Sequence, residues 1–165
     1  MHPEERNRIV DELLTYDNPI CLEWGCGYST LYFPSFIGKG TWTAIEDNKT
    51  WFDRINRLIK AKNAKLILVP PPAIDSSNGA SKFVNEYCSW PLNQGVKYDF
   101  ILIDALFRVK CAEVASRVLK EGGSVFIHDT CDGLYHDAFE YFNQIIPLYD
   151  AGFKCSYLTQ LRDPK

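Results

Sequence analysis

Several things that would make a function easy to assign are missing from this chain. No stretch of about 18 apolar residues occurs, so no membrane-spanning helix is expected. The opening residues, MHPEERNRIV, are charged and carry no apolar signal-peptide core. Six cysteines are present (Cys21, Cys26, Cys88, Cys111, Cys131 and Cys155), but none forms a C-x-x-C pair. The expectation is therefore reduced thiols in a cytoplasmic protein, in which the sequon Asn48-Lys49-Thr50 carries no sugar. There is no excess of one charge: the net value of −3 gives no electrostatic case for nucleic acid or for an anionic membrane as a partner. Repeats, low-complexity tracts and linkers are absent, and 165 residues suit a single domain spanning 1–165. An apolar share of 46% and a charged share of 24% are those of a soluble globular protein.

What is present is an alternation of two patterns. Glu4 to Leu14 carries Ile9, Val10, Leu13 and Leu14 at helical spacing. Pro19 to Trp24 is a short apolar run, read as the first strand, and TWTAIE (41–46), AKLILV (64–69), YDFILID (98–104) and SVFIH (124–128) are read as further strands. Helices are predicted between them. One is capped by Ser29 or Thr30 and shortened at Pro34, and one is capped by Asp47 or Asn48. A third runs from Val109 to Gly122 and a fourth from Leu134 to Ile146. A tail of two strand-like pieces turns at Gly152. Between strands three and four, a polar segment with Phe83, Tyr87 and Trp90 reads as a loop plus one short helix. Near-continuous apolar strands joined by amphipathic helices predict a doubly wound, mostly parallel α/β sheet with helices on both faces. Ligands of such sheets bind at the carboxyl ends of the strands, near the switch point.

That rule directs attention to Leu22-Glu23-Trp24-Gly25-Cys26-Gly27-Tyr28-Ser29-Thr30. Two glycines let the backbone turn sharply and let a ligand approach without meeting a side chain. A P-loop is excluded, because Gly38-Lys39-Gly40-Thr41 has Phe33 in place of the first glycine and Gly40 in place of the hydroxyl. A dinucleotide fingerprint needs a third glycine where Thr30 stands. Glu23 would repel a nearby pyrophosphate and favour a ligand bearing positive charge; a turn-bracing carboxylate is the alternative.

The pattern acidic-x-Gly-x-Gly-x-Ser-Thr resembles the first motif of class I S-adenosylmethionine-dependent methyltransferases. Glu46, 21 positions after Gly25, matches that family's ribose-binding acid at the end of the second strand. Asp104 matches the acid closing the fourth strand, and LKEGGSVFIHD resembles the family's helix, Gly-Gly turn and fifth strand. The resemblance implies a Rossmann-like fold with an antiparallel C-terminal strand and S-adenosylmethionine as cofactor. It implies cofactor contacts from Glu23, Gly25, Cys26, Gly27, Tyr28, Ser29 and Thr30, from Glu46 and Asp47, and from Asp104. The family's acidic-plus-small pair after the third strand is replaced by VPPPAIDSS, which leaves the adenine contacts unassigned.

At the far edge, Asp104, Arg108, His128 and Asp129 are the candidate catalytic residues. His128 or Asp104 can serve as general base for a hydroxyl acceptor. Alternatively, similarity to catechol-type O-methyltransferases implies a magnesium ion held by Asp104 and Asp129, with Thr130 where that group has asparagine. The segment Asp104 to Ala112 also resembles a methyltransferase-like subgroup that pairs D-x-x-x-R-x-x-C-A with a later His-Asp and Tyr-His, here His128-Asp129 and Tyr135-His136. Arg108 at a helix start calls for an anionic partner, either a substrate or Asp104 or Asp129. The resulting expectation is methyl transfer to a hydroxyl of a small-molecule substrate, with no nucleic acid or membrane partner. A nicotinamide-dependent oxidoreductase and a non-catalytic S-adenosylmethionine-binding scaffold are the rival readings.

Overall fold

The run ICLEW forms β1 (Ile20–Trp24) and buries four of its five residues, because neighbours cover it on both edges and both faces. A computed structural model describes residues 1–71, 79–130, 133, 135–148 and 158–165. In it β1 pairs in parallel with β2 (Thr41–Glu46) on one side and with β4 (Tyr98–Ile103) on the other. The sheet extends outward through β3 (Ala64–Leu68) beside β2, and through β5 (Leu119–His128) beside β4. Two further strands, β6 (Phe142–Pro147) and β7 (Leu158–Pro164), complete the order β3-β2-β1-β4-β5-β7-β6. β7 runs antiparallel to both β5 and β6. The strands are added outward to one side of β1 as far as β3 and then to its other side from β4, which makes the gap between β1 and β4 the switch point.

Strand periodicity sorts side chains to two faces. Leu22, Trp24, Ile101 and Ile103 pack with Tyr87 of α4 (Gly79–Ser89) and with Cys111, Ala112 and Ala115 of α5 (Arg108–Val118). Cys21, Phe100 and Leu102 face the other way, toward Ile9 and Leu13 of α1 (Pro3–Leu13) and Ile55 of α3 (Lys49–Leu58). On that second face Phe33, Trp42, Phe100 and Phe126 form an aromatic ladder with successive ring centroids 5.7, 5.8 and 5.2 Å apart. Cys21, Cys26, Cys88 and Cys111 are free thiols, while Cys131 and Cys155 lie outside the described residues. Among the described residues no helix is long and apolar enough to cross a membrane.

Three boundaries differ from expectation. The segment predicted to be helical from 134 to 146 is a short 3-10 helix (His136–Tyr141) followed by β6. Phe142 is buried while Ile145 and Ile146 stay exposed, and pairing with β7 takes over from helical propensity. The helix predicted to reach Gly122 ends at Val118, and β5 begins at Leu119, five residues before the predicted strand. Gly122 and Gly123 then sit within the strand run, where a Cβ on Gly123 would come 2.8 Å from the Asp99 carbonyl oxygen. The helix after the glycine turn, α2 (Tyr28–Tyr32), starts at a Gly27 cap and not at Ser29 or Thr30, which lie inside it; it is shortened at Pro34 as expected, giving way to the 3-10 turn Phe33–Phe36. Gly152 and the Pro72 to Asn78 part of the polar segment lie outside the described residues; α4 is the predicted short helix after it.

Candidate active site

The two glycines of the turn differ physically. Gly25 has φ +86°, and a Cβ there would lie 2.3 Å from the Asp104 carbonyl oxygen. Its N–H donates to the Ile45 carbonyl at 2.8 Å, while the Asp104 N–H donates to the Trp24 carbonyl at 3.0 Å. Gly25 is thus required by the closure of the ends of β1, β2 and β4 on one another. Gly27 is extended, and a Cβ there would meet only the Ser29 hydroxyl, at 3.7 Å. Nothing among the described residues demands a bare backbone at 27.

Glu23 does not face the cleft. Its side chain is fully buried and accepts hydrogen bonds from the Ser29 hydroxyl, from Thr30 Oγ1 at 2.6 Å and from Trp42 Nε1 at 2.8 Å. Burial pushes its carboxyl up to about 7 despite those three donors. It braces the turn, which corrects the expectation of direct ligand contact. Thr30, also fully buried, accepts from the Gly27 N–H at 2.9 Å and locks the same loop. Glu46 is 5% exposed and accepts from the backbone N–H groups of Cys26, at 2.9 Å, and Asn48, at 2.8 Å. Burial raises its pKa against those two donors. Asp47 is half-buried in the bend between β2 and α3. The Cys26 thiol is raised by burial and by Glu46, so it stays protonated and is no nucleophile.

In front of this braced turn lies a cleft of about 720 Å³. Six of the predicted residues line it: Gly25, Cys26, Gly27, Tyr28, Ser29 and Asp104. Arg6 from α1, Trp51 from α3, and Met1, Leu31, Tyr32 and Phe33 complete its walls. The Trp51 indole N–H donates to the Cys26 carbonyl, and its ring meets Tyr28 edge-on at 6.4 Å.

Asp104 is shared between the cleft and a charged cluster. One guanidinium nitrogen of Arg108 lies 2.9 Å from Asp104 Oδ1 and 2.9 Å from Asp129 Oδ2. The other donates to the Ala105 carbonyl at 2.6 Å, and the guanidinium stacks 4.8 Å over the Tyr135 ring. His128 Nδ1 lies 3.3 Å from Asp104 Oδ1 and 3.1 Å from Asp129 Oδ1. The predicted Asp104, Arg108, His128, Asp129 and Tyr135 therefore meet at one place, while His136 turns to the Thr130 carbonyl at 3.1 Å. Two residues here are in the left-handed region, Phe107 at φ 58° and Asp129 at φ 61°. Such backbone persists where the surroundings dictate it, and here it aims the flanking charges at one another. Burial alone would lower the His128 pKa, but Asp104, Asp129 and Glu5 outweigh it and the ring is raised. Burial would likewise raise Asp104, but His128 and Arg108 outweigh it and hold the carboxyl below its usual range.

Asp104, His128 and Asp129 bring ligand atoms within 4.8 Å of one another. They do not fit magnesium. That ion wants an octahedron of oxygens, and one of these three donors is an imidazole nitrogen. Arg108 already bridges both carboxylates, and the Thr130 hydroxyl pairs with Thr159 at 2.8 Å in a buried contact. The cation between the two aspartates is a guanidinium.

Sequence reasoning missed three participants. Trp42 offers its indole N–H to Glu23, Trp51 walls the cleft, and Glu5 of α1 approaches His128 from the far side, Oε2 to Nε2 at 3.3 Å. The only signal for Glu5 was its place three residues after His2, where a capping-box acid belongs.

No protein-family model matches this sequence, and no curated protein matches it significantly. Solved structures do match its fold. A methyltransferase-like protein from Silicibacter pomeroyi aligns over 99% of this chain and 87% of its own, with TM-score 0.74 and 17% identity. A tRNA methyltransferase from Aquifex aeolicus aligns over 100% and 70%, with TM-score 0.66 and 14% identity. A TehB-like SAM-dependent methyltransferase from Corynebacterium glutamicum aligns over 98% and 89%, with TM-score 0.61 and 12% identity. The chain has the Rossmann-like methyltransferase fold, a seven-stranded mixed sheet closed by the antiparallel β5-β7-β6 edge.

Proposed function

We propose that this chain binds S-adenosylmethionine in the cleft and transfers its methyl group to a hydroxyl of a small molecule. The observation that carries the reading is Gly27. It lines a cleft at the sheet's switch point, and no atom of the described residues requires it to be bare. The cleft lining supports that reading. The Gly25-Cys26-Gly27 backbone, which lines the cleft, would hold the cofactor's methionine end, and Glu46, which braces the turn from behind and does not itself line the cleft, would be the carboxylate to accept from its ribose hydroxyls. Trp51 and Tyr28 supply aromatic walls. When bound, the cofactor supplies a methyl group on a sulfonium, so the chain has to align the acceptor and receive a proton.

His128 is not the base in this reading, because both ring nitrogens face carboxylates, and those carboxylates raise its pKa. Asp104 lines the cleft and is kept ionised by Arg108 and His128. It accepts the acceptor's O–H hydrogen bond and then its proton as the new bond forms. Arg108 fixes Asp104 and Asp129 relative to each other.

S-adenosylhomocysteine should raise the melting midpoint and NAD should not, since a ligand selective for the folded state stabilises it by mass action. Gly27→Asp should abolish that shift and leave the unfolding midpoint near the wild-type value. Undiminished affinity in Gly27→Asp, read by calorimetry, would sink the proposal.

A further inference from the structure

Helix α1 opens with a capping box: His2 Nδ1 accepts from the Glu4 N–H at 3.4 Å, and the His2 N–H donates to Glu5 Oε2. A capping carboxylate ordinarily stays in solvent. Glu5 is instead 2% exposed, and the same Oε2 lies 3.3 Å from Nε2 of His128, on the last residue of β5. Its other oxygen, Oε1, is buried and has no hydrogen-bond partner among the described residues. Burying a carboxylate that is half satisfied is unfavourable unless a cationic or donating group compensates it. Arg108 does not serve: its two terminal nitrogens are engaged with Asp104, Asp129 and the Ala105 carbonyl, and its contacts among the described residues do not include Glu5. The group within reach is the imidazole, whose opposite nitrogen is flanked by Asp104 and Asp129 at 3.3 and 3.1 Å.

We infer that Glu5 is a positioning residue of the active site, fixing the His128 ring with Nε2 as donor and thereby seating helix α1 against the Asp104–Arg108–Asp129 cluster. Arg6, the next residue, lines the cleft, so the same contact sets where that wall stands. A helix cap alone has no need of the contact with β5. This deepens the methyl-transfer reading, but only the identity of what the cleft holds rests on that reading.

The test uses the full chain carrying 15N-labelled histidine. The chain has three histidines, and His128→Gln identifies one set of ring signals by its disappearance. In the wild type Nε2 of His128 is protonated and hydrogen-bonded. Glu5→Gln keeps a capping-box side chain at this position but removes the carboxylate, and the Nε2 resonance should shift. Ring signals identical to wild type in Glu5→Gln would overturn the inference and leave Glu5 a helix cap. Should Glu5→Gln fail to fold, His128→Gln with 13C-labelled glutamate carboxyls asks the same question from the other side. The Glu5 carboxyl must then move, and an unmoved resonance overturns the inference. S-adenosylhomocysteine is titrated into wild type separately: failure to bind would remove the cofactor reading and leave the histidine result standing.

Discussion

Gly25 and Gly27 stand two residues apart and answer to different constraints. Gly25→Ala puts a methyl group against the Asp104 backbone at a positive φ, so it should cost on the order of 3 kcal/mol in denaturant unfolding. Gly27→Asp should cost ligand and not fold. The spacing of Glu23, the glycines, Thr30 and Glu46 was legible in the sequence. The direction in which each side chain points was not. Glu23 turned inward because Ser29, Thr30 and Trp42 offer it donors, and Trp42 comes from a different strand. Titration exposes this burial. Between about pH 4.5 and 7 the folded chain holds the Glu23 proton and the unfolded chain has lost it, so stability falls as pH rises through that window. His128 acts in the same direction at higher pH: its raised pKa contributes stability that is complete below its ordinary 6.5 and is lost as pH climbs through the folded value. Denaturant midpoints measured across pH should show this decline, and Glu23→Gln should flatten its lower part.

Among the elements, the strands and the helices between them were legible because burial on both faces leaves continuous apolar runs, and α3 announced its cap at Asn48, which accepts from the Trp51 N–H at 3.0 Å. The stretch from 134 to 146 was misread because its apolar spacing suits a helix until a partner strand, distant in sequence, is supplied. β6 now gives a sharp contrast. Phe142→Ala, at a buried position, should cost about 3–5 kcal/mol. Ile145→Lys, three residues along the same strand and exposed, should change stability by no more than about 0.5 kcal/mol. Comparable losses from both would mean that β6 is covered on its outer face as well. Helix α1 was recognised as an element, but its inward carboxylate was invisible, since nothing local distinguishes a buried capping acid from a solvated one.

For the whole molecule, the parallel α/β architecture and the edge that carries the site followed from pattern alone. The convergence of Asp104, Arg108, His128 and Asp129 was foreseen as a set, with an Arg108 ion pair to Asp104 or Asp129 as one alternative, but not the His128 ring set against both carboxylates. With Arg108 in place between the aspartates, chelators and added magnesium should both leave the wild-type melting midpoint unchanged. Arg108→Ala should leave only the His128 ring between the two carboxylates and open a position for divalent-cation binding, measurable by calorimetry, that wild type lacks. The placing of β7 between β5 and β6 governs the order of assembly during synthesis. β6 leaves the ribosome before the only strand it pairs with among the described residues, so its Ile145 and Ile146 edge waits unpaired until residues 158–164 follow. One margin of the sheet is therefore completed last, by a strand that must slot between two already made, and that interval is when the nascent chain is most exposed to aggregation.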